Sequence, residues 1–503
     1  MISDEELKTR MDYILEMCST SLDSQREQDK MFDNIIRITK NALQEQLLTY
    51  EPDAIIICIL KLLLYYNETY FQTYNMCEWK RRRKCRLTRE CYITLLQIYI
   101  PQKSKEILET VINTIYENKL WEFETFCFEL MCNLLEYGIN ASSMIHIIWD
   151  RIEAPNINIE DTRKIIRILY ELLDVYNWPD TYETIVVIER ILNLFYISIT
   201  SAHATVDFLP YAMLKKGLEV CIINMVKHVY NDHLLIIVQH MCSWVVEKGM
   251  TDEIILEFGS TLEYTAYIHE VTLYEKTLTP KIFPLLMEMI ASTNKITNLL
   301  GNRVIQYLLD RKGNKMNFNT PKIFFEDTQF DLSIGPCFKE DKLFCKLHRE
   351  ILHDSLLKSI IIHCASRMNL ESTYCTICLI AVEVPCGFTA AALVCLLMNL
   401  QEVTLKRNRH DEVSYHLHAT VIAIMSLLCW IHKAKVFYEY VNKVMMERAQ
   451  WAPHLNPPIQ SQYNFAAHHI LWNKSELFFI DWEARYGLWK CFRLRETEEK
   501  PEV

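Results

Sequence analysis

The stretch TYETIVVIERILNLFYISIT, residues 181–200, decides the fold. Tyr182, Ile185, Val186, Ile188, Ile191, Leu192, Leu194, Phe195 and Ile199 recur at helical spacing and cover most of the circumference of the helix they form. A helix with so wide an apolar face is buried between other helices rather than floated on a surface. Similar apolar stretches recur along the chain, so the expectation is a stack of helices.

The rest of the composition agrees. The 503 residues include only 9 glycines and 14 prolines, well under half of the roughly 12% found in ordinary soluble chains. Glycine supplies positive φ at turns, and proline marks corners and strand edges. A sandwich, barrel or doubly wound sheet turns too often for so small a supply, and the chain reads as all-α. Half the residues are hydrophobic and 23% are charged, enough for a large core with little disorder. The net charge of −11 argues against a broadly basic nucleic-acid surface.

The acidic opening Ser3-Asp4-Glu5-Glu6 has no secretory pattern. The longest apolar stretch, Thr373 to Met398, is interrupted by Glu383, Pro385 and Gly387, so no membrane contact is expected. The 18 cysteines sit in apolar helical settings, such as Cys58 and Cys429, and read as reduced thiols of an intracellular protein.

Punctuation along the chain divides it into helix pairs. Ser3 and Glu6 form a capping box, Gly138 and Gly249 suit the ends of helices, Asn140 suits a start, and Pro52, Pro179 and Pro280 mark restarts. Pair starts near 103, 140, 180, 231 and 279 are 37 to 51 residues apart. On this period and these wide apolar faces, residues 28 to 450 resemble the armadillo/HEAT class of α-solenoids. The resemblance implies a superhelical array of antiparallel helix pairs whose surface binds another protein. The polar stretch 313–340 would divide a block at 1–312 from a smaller one at 341–450. The remainder, 451–503, reads as a proline-containing loop, an aromatic capping helix from about Leu471 to Arg495, and a short charged tail.

Two constellations stand out as candidate sites. Lys80, Arg81, Arg82, Arg83, Lys84, Arg86 and Arg89 put seven cations into ten residues of an acidic chain. They suit a nuclear-import signal, a phosphate contact, or a solvated loop, since cations at a helix N-terminus oppose the macrodipole. On this run the nucleus is favoured over the cytoplasm. The second set is Trp472, Phe478, Phe479, Trp482, Tyr486 and Trp489, which would either cap the last repeat or bind a partner.

The pair Cys375 and Cys378 has zinc-knuckle spacing, but it also fits one turn of an apolar helix and no second pair follows. His410, His416, His418, His468 and His469 form no metal motif, and phosphate-loop, dinucleotide and nucleophile-elbow patterns are absent. No cofactor, metal or small-molecule substrate is expected. The leading expectation is a non-enzymatic scaffold in a nuclear complex with protein partners. The alternatives are a chromatin- or RNA-associated factor using residues 80–89, with nucleic acid as a secondary partner, and an enzyme with an unrecognised site near Gly335.

Overall fold

The computed structural model describes residues 2–20, 24–67, 78–153, 158–175, 178–204, 208–407, 412–460, 463 and 474–498. Among them there are helices and no strand. The chain divides into two compact units, Met1–Tyr230 and Asn231–Val503.

In the first unit the helices are α1 (Asp4–Cys18), α2 (Gln25–Asn41), α3 (Gln44–Leu48), α4 (Asp53–Tyr66), α5 (Glu78–Glu117), α6 (Glu124–Glu136), α7 (Ala141–Ile152), α8 (Ile159–Val175), α9 (Tyr182–Ala204) and α10 (Leu209–His228). Several ends are set by local chemistry. The Ser3 hydroxyl accepts the Glu6 amide at 3.3 Å, but the Glu6 carboxylate is taken by Arg10, so only half of the capping box forms. The Asn140 side chain accepts the amide of Ser142 at 2.7 Å. Gly138 has a φ of 106°, which lets α6 stop without the strain a β-carbon would bring. Pro101 lies inside α5, and Lys103 is non-helical there, so α5 is two helices joined at a kink.

Packing runs along the chain. α4 lies between α1 and α5, α5 contacts α6, α6 contacts α8, and α8 packs closely on α10. The stretch that opened the sequence reading, α9, buries Val187, Ile188, Ile191, Leu192, Phe195 and Ile199, while Tyr182 and Ile197 are exposed.

The second unit contains α11 (Asn231–Glu247), α12 (Asp252–Ile268), α13 (Tyr274–Thr277), α14 (Ile282–Ile290), α15 (Lys295–Leu309), α16 (Lys339–Leu347), α17 (Arg349–His363), α18 (Arg367–Glu383), α19 (Gly387–Leu405), α20 (Glu412–His432), α21 (Lys435–Trp451) and α22 (Asp481–Glu498). All-round burial belongs here to α20, where every residue from Leu417 to His432 is buried. By length and composition α9, α19 and α20 are each apolar enough to cross a membrane. The burial of α20 is instead inside the protein, against α18, α19 and α21.

The segment 313–340 is folded onto this unit. Phe318 and Phe324 are buried, the Phe324 amide donates to the Ser426 hydroxyl at 3.0 Å, and the Trp430 indole donates to the Thr328 carbonyl at 3.0 Å.

Candidate interaction surfaces

The basic run forms the first turns of α5, so the solvated-loop expectation is corrected. Tertiary pairing outweighs the unfavourable macrodipole. Lys84 bonds Asp29 of α2 and lies 5.1 Å from the Phe32 ring, and Arg89 meets Glu129 of α6 at 2.6 Å. Arg81 is only 8% exposed, and Thr88, Cys91 and Tyr92 are buried on the same helix.

The helix sorts its cations onto two faces. Arg81, Arg82, Arg86 and Arg89 line a groove of about 770 Å³ between the α4–α5 layer and α6, opposite Glu124 and Glu129. Lys80 and Arg83 are exposed outside that lining, beside Trp79, which is 58% exposed. The Lys80 ammonium lies 5.7 Å from the Trp79 ring.

A second groove, of about 420 Å³, opens between α6, α8 and α10. Arg163, Lys164 and Arg167 of α8 supply its charge, and Met213, Gly217 and Val220 of α10 supply apolar surface. Glu122 and Glu124 line both grooves. Lys164 pairs with Glu122 at 3.2 Å and Arg167 with Glu124 at 2.9 Å. Sequence reasoning missed this second cluster. Arg163, Lys164 and Arg167 are spaced like any solvated helical face, and only packing brings α10 beside them.

The aromatic end splits into two parts. Trp472 lies outside the described residues. Phe478 and Phe479 are buried but precede α22, which begins only at Asp481, ten residues later than the helix expected from Leu471. Gln401 clamps Phe479 through its amide and carbonyl at 2.9 and 2.7 Å. On α22, Ala484 and Leu488 face inward while Trp482, Tyr486 and Trp489 are exposed. The Trp482 and Tyr486 rings stack at 5.5 Å with an interplanar angle of 6°.

Cys375 and Cys378 are buried on α18, where burial raises both thiols, Cys375 to about 12. Among the described residues no three His, Cys, Asp or Glu side chains converge as a metal site. His418 and His454 lie in the core near the wholly buried Arg448, and burial pushes both below the usual histidine range, His454 to about 4. His410, His468 and His469 lie outside the described residues.

Comparison with known proteins adds the family. The model of the EFR3 armadillo-repeat family matches residues 20–471. Protein EFR3 homolog B of Mus musculus is 24% identical over 156 residues, which is 30% of this chain and 18% of the relative. Protein EFR3 homolog cmp44E of Drosophila melanogaster is 23% identical over 188 residues, 37% of this chain and 22% of the relative. The matched part thus spans about a fifth of the length of these relatives. No solved structure matches.

EFR3 proteins are plasma-membrane-associated, which overturns the expected nuclear location and removes the ground for excluding a membrane. The geometry is consistent with that correction. An import signal is read as an extended basic peptide, whereas residues 80–89 are helical, with Arg81 buried and Lys84 and Arg89 held in ion pairs.

Proposed function

The chain belongs to the EFR3 armadillo-repeat family, and from that membership we propose that it is a non-enzymatic protein-interaction scaffold working at a membrane surface. The observation that carries this reading is the extent of the family match, residues 20–471, over an all-helical chain. Stacked helix pairs offer long, rigid surfaces for partners and supply few of the loops that usually hold catalytic groups.

The outer face of α5 is the part best suited to a membrane. Trp79 pairs an apolar body with an indole N–H, the combination enriched at headgroup depth, and Lys80 and Arg83 flank it with positive charge. Basic residues near an anionic leaflet contribute about 1 kcal/mol each. Cosedimentation with phosphatidylserine vesicles tests this. The doubly reversed variant Lys80→Glu/Arg83→Glu is expected to lose roughly tenfold or more in bound fraction at low salt. Equal binding by the variant, or no binding by the wild-type chain, would remove the membrane part of the reading.

A further inference from the structure

We propose that Cys337 and Cys386 form a redox modification site, a dithiol that peroxide closes into a disulfide clip between the 313–340 segment and the turn joining α18 to α19.

The backbone brings the two cysteines together. The Gly335 amide donates to the Val382 carbonyl at 2.9 Å, and Gly335 packs directly on the backbone of Glu383. Cys337 follows this anchor by two residues. On the other side the Cys386 amide turns back onto the Val384 carbonyl at 2.8 Å, and Cys386 is the N-cap of α19. Both side chains leave the same junction, and their thiols come within hydrogen-bond reach of each other. Cys337 has a φ of 49°, a left-handed conformation that is uncommon outside glycine. Such a conformation persists only where its surroundings enforce it. The anchor at Gly335 and the start of α16 at Lys339 do so from either side.

Access separates this pair from other neighbouring thiols. Cys337 and Cys386 are both only half-buried. Cys58 beside Cys18, Cys378 beside Cys375 and Cys429 beside Cys491 are buried, so a small oxidant reaches at most one thiol of each of those pairs. Cys345 of α16 is a third neighbour, but it is buried, and burial pushes its thiol up to about 12, which keeps it protonated and unreactive. The three thiols do not converge as a metal site. Burial, and then the nearby Cys386, also raise the Cys337 thiol, so the pair rests reduced and yields to a strong two-electron oxidant.

Hydrogen peroxide supplies that oxidation. One thiol attacks a peroxide oxygen and becomes a sulfenic acid, and the other peroxide oxygen leaves as water. The second thiol then displaces the sulfenic hydroxyl as a second water and closes the S–S bond. The pair gives up two electrons, the peroxide accepts them, and both thiol protons end in the waters. Dithiothreitol reverses the step by exchange. The closed clip ties off roughly 50 residues containing α16, α17 and α18, which removes freedom from the unfolded chain.

The test is peptide mapping by mass spectrometry of the full chain, purified under reductant and then treated with hydrogen peroxide. A disulfide-linked pair of peptides carrying Cys337 and Cys386 should appear and vanish with dithiothreitol. Cys337→Ser and Cys386→Ser should each abolish it, while Cys345→Ser should not. The oxidised wild type should unfold at higher urea than the reduced chain, with an unfolding constant smaller by about a hundredfold. In Cys386→Ser the two treatments should give the same midpoint. The mapping on the wild-type chain decides the site even if a variant does not fold.

A link from Cys345 to either partner overturns the assignment. So does recovery of Cys337 and Cys386 as unlinked sulfinic acids, or as free thiols after peroxide. A linked chain whose urea midpoint matches the reduced one overturns the clip. The scaffold reading rests on the family match and is untouched by any of these results.

Discussion

Gly335 lies against the backbone of Glu383, so close that a β-carbon on residue 335 would stand 2.4 Å from the Glu383 carbonyl oxygen. The Gly335 amide donates to the Val382 carbonyl at 2.9 Å, which anchors the loop 313–340 to the end of α18. The opposing atoms are backbone and cannot swing aside. Gly335→Ala should therefore destabilise the second unit by about 1–3 kcal/mol, the usual cost of overpacking. Denaturant unfolding measures it, and an unchanged midpoint would mean that the loop gives way freely.

Glu383 carries a second consequence. Its side chain is buried beside Arg311, with Asn314 donating to it at 3.3 Å, and burial raises its carboxyl to about 7 even though Arg311 opposes the shift. The folded state then holds this proton more tightly than the unfolded chain, whose glutamates titrate near about 4.3. Its contribution to stability is fully present below that value and is lost as pH rises toward about 7. The stability of the wild type minus that of Glu383→Gln should fall across this window and stay flat above it. A constant difference from pH 4 to pH 8 would contradict the assignment.

Arg448 is wholly buried and donates to the carbonyls of Leu477 at 2.7 Å and of His418 and Leu455 at 3.1 Å. These acceptors belong to three separate segments around α20, α21 and the approach to α22. Arg448→Ala strands all three in the core and should cost about 3–5 kcal/mol. Calorimetry of the variant checks this, with a loss under about 1 kcal/mol as the contradicting result.

The aromatic end makes a paired prediction. Phe479 is 3% exposed and its truncation to alanine should cost about 3–5 kcal/mol. Trp482 is 70% exposed, and Trp482→Ser should stay within about 0.5 kcal/mol of the wild type. Equal losses in thermal melts would show that both aromatics belong to one core.

The helical class was legible because it depends on supply and period. Few glycines and prolines leave few turns, and Gly138, Gly249 and Gly313 fall at positive φ, where the end of a helix or a loop needs them. The basic run at 80–89 was legible as a cluster but not as a helix. A local macrodipole argument pointed to a loop, and the partners that reverse it, Asp29 and Glu129, lie 55 and 40 residues away. The groove was illegible for the same reason. Lys164 and Met213 share one cleft only after α6, α8 and α10 have packed, and no periodicity within a single helix encodes that. Phe478 and Phe479 show the opposite error, since helical spacing grouped them with Trp482 although the backbone there is not yet helical.

The most direct measurement is affinity purification of the tagged chain from membrane and soluble fractions of its own cell, each divided into nuclease-treated and untreated halves, followed by mass spectrometry. The account predicts a stoichiometric protein partner in the membrane fraction that survives nuclease. A chain recovered alone, or one whose partners are soluble and vanish with nuclease, would contradict it.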